Sequence, residues 1–284
     1  MLSRRNFLSK IGLLGLGVPF FNKWFAPPDT ISAPNLDIAE QYHQESRHTL
    51  FNILLGRGSK EHTSPLFKKY IEAEKIKLPQ DFKYRGISVE EAIIRRRSRR
   101  NFIQKPISLK ELSCLLYYAS GITQGKGSHG LRAAPSAGAL YPIEIYPVIH
   151  LVEGIKPGIY HYSIENHSLE LLKQGDYRQK LSQHCLGQEF VGKSAVAFIM
   201  TAIFARTKSK YHHRAYRYAL IEAGHIAENL YLSAISMGLG TCAVGAFFDD
   251  QINHTLEIDG IKESAIYITV VGNQVISNRI YQDL

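Results

Sequence analysis

The stretch from Tyr218 to Met237 is apolar nearly all round and rich in Ala and Gly. It reads as a long helix, and a helix without a solvated face must be covered on every side, by its own core or by a partner subunit. Around it lie strand-like runs at Ile143 to Val152, Gly158 to Tyr162, Leu169 to Leu172 and Ala195 to Phe204. A hairpin pattern falls around Tyr160 and Glu165-Asn166, and Ala265 to Val271 closes as a buried strand. Helix and strand mix without regular alternation, which predicts an α+β sandwich with a mixed sheet flanked by helices, not a doubly wound sheet.

Two capped helices precede the strands. Ser88 with Glu91, and Ser108 with Glu111, have capping-box spacing, with Ile87 and Ile107 placed as staples and Gly121 as the stop of the second helix. Residues 34–80 read as a polar helical extension ending at Lys77-Leu78-Pro79, before a main domain over 81–284. The first 33 residues read as an address. Arg4-Arg5 followed by the apolar run Ile11 to Phe21 has the form of a twin-arginine export signal; a basic amphipathic tail is the alternative. The run is about half the length of a membrane-spanning helix. Lys23-Trp24-Phe25 leaves open an uncleaved anchor, so the expected location is periplasmic or on the outer side of the inner membrane.

With 284 residues, 45% hydrophobic and 21% charged, the chain suits one substantial core or two modest ones. The formal charge of +9 fits nucleic acid, phosphate or an anionic membrane. Part of the excess is local, in Arg95, Arg96, Arg97, Arg99 and Arg100, which disfavours general nucleic-acid binding. Cys114, Cys185 and Cys242 are far apart with no C-x-x-C, so neither a zinc knuckle nor a redox dithiol is expected.

Three segments carry candidate chemistry. If the helix before it persists through Arg96 to Phe102, Arg96 and Arg100 share a face and, with Ser98, make a cradle for a phosphate dianion; a solvated basic helix end is the alternative. From Arg132 to Pro142 a bend of small residues exposes backbone N–H groups and adds the Ser136 hydroxyl, so a flat group can lie against it, unless it is an ordinary loop. Gly238 to Phe247 is Gly-rich: either a helix stop and loop, or backbone brought against the far side of a planar ring. It is not a Rossmann fingerprint. Lys210-Tyr211, beside Lys208 and His212-His213, reads as a charged surface loop. Glu222 and His225, one turn apart, are too few for a metal site, and His225 is expected as a hydrogen-bonded core histidine. Tyr216, Tyr218 and Tyr231 are read as packing residues.

From about Tyr42 to Arg279 the chain resembles the nitroreductase-like flavoproteins and, within them, the SagB-type dehydrogenases. The resemblance rests on Arg96 to Phe102, Ala134 to Pro142, Lys210-Tyr211 through Tyr218, Glu222 to His225, Asn229-Leu230 and Gly238-Leu239-Gly240. It implies an enzyme that binds FMN at a homodimer interface and transfers hydride to or from a small-molecule or peptide substrate, with an electron partner the motifs do not identify. On matching positions it implies that Arg96, Arg97, Ser98 and Arg100 hold the phosphate or ribityl chain, with Arg279 adding a late contact. Pro135, Ser136, Ala137, Gly138 and Leu140 would line the ring, and Gly240, Thr241, Val244 and Gly245 would approach its other edge. Lys210 and Tyr211 would handle protons, since removing a hydride from carbon leaves a proton to be taken up. No metal is implied, and membrane contact is confined to the N-terminal signal. The alternatives are an azoline oxidase acting on a modified peptide and, from another class, a flavin- or ligand-binding protein without catalysis.

Overall fold

The computed structural model describes residues 37–47, 64–83, 86–127 and 130–274. The export segment and Arg279 lie outside them. The chain divides into two compact units, Met1–Gly58 and Ser59–Leu284. In the first, helix α1 (Ile38–Glu45) is capped by Asp37, whose carboxylate accepts from the Glu40 backbone while the Glu40 side chain reaches back.

The second unit is built on one antiparallel sheet. Its strands are β1 (Glu74–Lys77), β4 (Ile143–Ile149), β5 (Gly158–Ser163), β6 (Ser168–Gln174), β7 (Val196–Ile203), β8 (Gly240–Val244) and β9 (Glu263–Gly272), in the spatial order β1-β6-β5-β4-β7-β9-β8. A short ribbon joins β2 (Ile122–Gln124) to β3 (Leu131–Arg132). The helices are α2 (Val89–Arg95), α3 (Leu109–Ser120), α4 (Arg178–His184), α5 (Glu189–Lys193), α6 (Phe204–Tyr211), α7 (Ala215–Ser236) and α8 (Asp249–Leu256). This is the expected α+β sandwich.

The sheet is buried on both faces because successive side chains feed different cores. Ile143, Ile145 and Ile149 of β4 join Phe198 and Met200 of β7 under Leu112, Leu115 and Leu116 of α3 and Ala219, Ile226 and Leu230 of α7. Tyr146 and Val148 of the same strand join Ile199 and Val270 under Leu181 of α4, Val191 of α5, and Ile252 and Leu256 of α8. Each such side chain contributes about 1.5–3 kcal/mol by leaving water. Pro147 is tolerated in this central strand because β4 pairs with β5 only at Val148 and Ile149, so its missing N–H interrupts no ladder on that side.

The β5–β6 hairpin is where the sequence puts it, closed by the Ser163–Ser168 pair. The Ser108–Glu111 capping box forms in full, and Gly121 caps the end of α3. At Ser88 only half of the box forms: its hydroxyl accepts from the Glu91 backbone, while the Glu91 carboxylate pairs with Arg95. Several expectations need correction. The sheet, expected to be mixed, is antiparallel between all its named strands. Residues 74–77, placed in a helical extension, are an edge strand laid on β6. In the Gly-rich stretch after α7, Gly238 stops the helix with a φ of +76°, but Gly240–Val244 is not loop: it is strand β8, paired along its length with β9. Lys210-Tyr211 ends helix α6 rather than lying in a loop. Helix α2 stops at Arg95, because Arg96 turns extended (ψ 124°) and the chain joins the sheet edge, so Arg96 and Arg100 share no helical face.

Helix α7 is covered only in part. Ala219, Glu222, Ala223, Ile226, Ala227, Leu230 and Ala234 are buried, whereas Leu220 and Ile221 keep 53% and 49% of their surface exposed. His225, expected in the core, is exposed on the same uncovered side.

Candidate functional site

The bend after β3 is held in a strained shape by buried charge. Gly138, Ala139 and Tyr141 take φ of +66°, +54° and +46°. For Ala139 and Tyr141 this left-handed geometry costs about 1–2 kcal/mol each. Four contacts oppose that cost. The Tyr141 N–H donates to Ser136 Oγ (2.9 Å), the Arg132 N–H to the Tyr141 hydroxyl (3.1 Å), and Arg206 Nη1 to the Tyr141 carbonyl (2.9 Å). The Arg132 guanidinium lies 4.3 Å over the Tyr141 ring. Arg206 is fixed by Glu144 at 2.6 Å, and His161 lies between Glu144 and Glu170 at 2.9 and 2.8 Å. Burial opposes the charge on Glu144, yet Arg206, His161 and Arg132 hold its carboxyl at about 2. Burial likewise opposes charge on His161, but hydrogen bonds to the two carboxylates raise its pKa. The result is a fixed loop whose Pro135, Gly138 and Ala139 face outward.

Helix α6 brings Lys210 and Tyr211 onto this bend. A Cβ built on Gly138 would lie 2.8 Å from the Tyr211 hydroxyl and 2.9 Å from Lys210 Nζ. The two polar ends therefore stand directly over the one residue of the bend that lacks a side chain. Tyr211 is braced edge-on by Tyr218, ring centroids 4.7 Å apart.

The arginine segment is joined to β8. Ser98 bridges to Thr241, and the Arg99 N–H donates to the Thr241 carbonyl at 2.8 Å. Tyr231 of α7 ties the two together: its hydroxyl accepts from the Ala243 N–H at 2.7 Å and lies 3.0 Å from Ser98 Oγ. Arg96 sits over the Tyr231 ring and Arg100 over Phe190, while Arg97 folds back on the carbonyls of Ile94 and Arg96. Gly240 is closely packed, since a Cβ there would lie 3.0 Å from Gln274 and 3.2 Å from Arg99. Among the described residues, buried Arg99 Nε and Thr241 Oγ1 have no hydrogen-bond partner. Val244 turns its side chain into the core, leaving only its backbone to face a ligand.

A nitroreductase family model matches residues 93–273, from the end of α2 through β9. The chain belongs to the nitroreductase family. It is 38% identical over 189 residues to the Methanocaldococcus jannaschii nitroreductase-family protein MJ1384, covering 66% of this chain and 92% of that one. It is 32% identical over 135 residues to the Escherichia coli microcin B17-processing protein McbC, a SagB-type relative, a match spanning 45% of this chain and about half (49%) of McbC. A Ralstonia eutropha crystal structure from the same family superposes with a TM-score of 0.62 at 28% identity, covering 76% of this chain and 97% of that one.

Nitroreductases bind flavin, and the two groups of residues suit the two ends of such a cofactor. The bend offers exposed backbone with almost no side chains to a flat ring. The arginine segment offers guanidinium groups and unpaired buried donors at Arg99 and Thr241 to an anion. Within one chain, however, the groups are not adjoining. Glu222, the α7 contact of Ser136, and Tyr231, the contact of Ser98, are nine residues apart, about two and a half turns, so they leave the helix on opposite sides.

The motifs did not single out Arg132, Arg206, Glu144 and His161, which set the bend. The available signal was a charged residue, Glu144, in an otherwise apolar strand, which requires buried partners. Among the described residues no group of three His, Cys, Asp or Glu side chains is placed to hold a metal ion, and the three cysteines are free and buried.

Proposed function

We propose that this protein is an FMN-dependent oxidoreductase of the SagB-type branch, acting on a small organic or peptide substrate. The observation that carries the reading is the meeting of Lys210 Nζ and Tyr211 OH over Gly138. When bound, FMN supplies the two-electron chemistry, taking or giving a hydride. Arg96, Ser98 and Arg100 hold its phosphate and ribityl chain, with Arg97 and Arg279 as outer cations. Pro135, Ser136, Ala137, Gly138 and Leu140 carry the ring, and Gly240, Thr241, the Val244 backbone and Gly245 bound its other edge. Lys210 and Tyr211 hold the proton that substrate carbon chemistry releases or consumes.

The two ligand-facing groups lie on opposite sides of α7, and the stripe Leu220, Ile221, Gly224 and His225 is uncovered. We therefore extend the proposal to a homodimer packed through this stripe, in which the bend of one copy meets the arginine segment of the other. Similarity to McbC favours a peptide substrate. The twin-arginine signal implies export of the folded protein, so turnover draws on an electron partner outside the cytoplasm; cell fractionation tests this. The test of the site is a pair of variants. Lys210→Ala retains FMN and loses about 10²-fold or more in turnover. Arg96→Ala loses FMN on dilution. Equal FMN occupancy in the two variants contradicts the phosphate assignment.

A further inference from the structure

Glu222 is a buried carboxyl that the chemistry above does not use. It is 3% exposed, and among the described residues its Oε2 has no hydrogen-bond partner. Three groups face it from three elements: the Ser136 hydroxyl from the bend, Arg132 from β3 and Arg206 from α6. Arg206 is already ion-paired with Glu144 at 2.6 Å, and Arg132, whose Nη1 has no hydrogen-bond partner among the described residues, divides its charge between Glu144 and Glu222. Burial therefore dominates at Glu222 and pushes its carboxyl up to about 7, against the pull of Ser136 and the two arginines.

The consequence follows from hydrogen-bond accounting at Ser136. A hydroxyl has one hydrogen to donate and two lone pairs. One lone pair is taken by the Tyr141 N–H at 2.9 Å, a bond that fixes the bend. When Glu222 is ionised, the Ser136 hydrogen points inward to the carboxylate and the open face of the hydroxyl is an acceptor. When Glu222 carries a proton, it donates to the second lone pair, and the Ser136 hydrogen is released to point outward. We propose that Glu222 is a positioning residue whose proton sets the direction of the Ser136 hydroxyl, so that the bend shows a donor or an acceptor to whatever ring lies on it. The identity of that ring as FMN rests on the proposed function; the Glu222–Ser136 coupling does not.

The test compares wild type, Glu222→Gln and Ser136→Ala in two measurements across pH values spanning 7. The first is the dissociation constant of oxidised FMN, read by flavin fluorescence. A ring edge rich in acceptors favours the donor state, so wild type contains a pH-dependent component, on the order of threefold to tenfold tighter on the acid side, the worth of one hydrogen bond. Glu222→Gln, whose amide donates permanently, stays at the tight level and loses that component, as does Ser136→Ala at the weak level. The second is the thermal midpoint of each chain without FMN. A raised carboxyl binds its proton more strongly when folded, so its contribution falls as pH rises from about 4.5 toward 7. Glu222→Gln removes this slope. Parallel pH curves for wild type and Glu222→Gln in both measurements overturn the proposal. If no variant takes up FMN but the stability slope disappears in Glu222→Gln, the titrating carboxyl stands and the flavin reading falls.

Discussion

Gly138 is the residue at which the bend and the lysine–tyrosine pair meet, and its φ of +66° is one that side chains adopt at a cost. Gly138→Ala adds about 1 kcal/mol of backbone strain and drives the Lys210 and Tyr211 ends away from the bend. Urea unfolding reads the first effect as a small loss; the second appears as a much larger fall in turnover with FMN still bound. Glu144 gives the opposite balance. Glu144→Gln leaves Arg206 buried without its ionic partner, which costs about 3–5 kcal/mol. Its sign with pH is fixed: a carboxyl held at about 2 stabilises the fold above its ordinary value and loses that stability as pH falls toward 2. Acid titration of the unfolding free energy should therefore drop in wild type and stay flatter in Glu144→Gln. The bend at Ser136 was marked by its run of small residues, whereas Lys210 and Tyr211 were marked only by the family resemblance, since alone they read as a surface loop. Glu222 and Arg206 were not legible, because what matters at each is a partner far away in sequence, and helix spacing reveals only near neighbours.

At the scale of elements, local chemistry was legible where it was self-contained. The Ser108–Glu111 box closes a helix with residues three apart, and the β5–β6 hairpin closes on its own turn. Legibility failed where a distant edge decided the outcome. Helix α2 ends at Arg95 because the next residues bond to β8, and β8 is a strand because β9 lies beside it. Neither edge is visible in a local window. Tyr231 is the tie between these elements, so Tyr231→Phe leaves the Ala243 N–H without its acceptor and Ser98 without its hydroxyl partner. The expected loss is about 1–3 kcal/mol by chemical denaturation, with faster FMN release than wild type.

For the whole molecule, the long apolar helix posed the question of what covers it, and one chain covers only one side. Leu220 and Ile221 remain about half exposed, a pattern in keeping with a face shared between two copies. Wild type should sediment at twice the chain mass, and Ile221→Asp should shift it to a single chain with loss of flavin. The most direct measurement is the visible spectrum of the full chain, purified without added cofactor and then titrated with FMN. A yellow protein releasing close to one FMN per chain is the predicted result. A folded protein that is colourless and leaves added FMN free in solution contradicts the account.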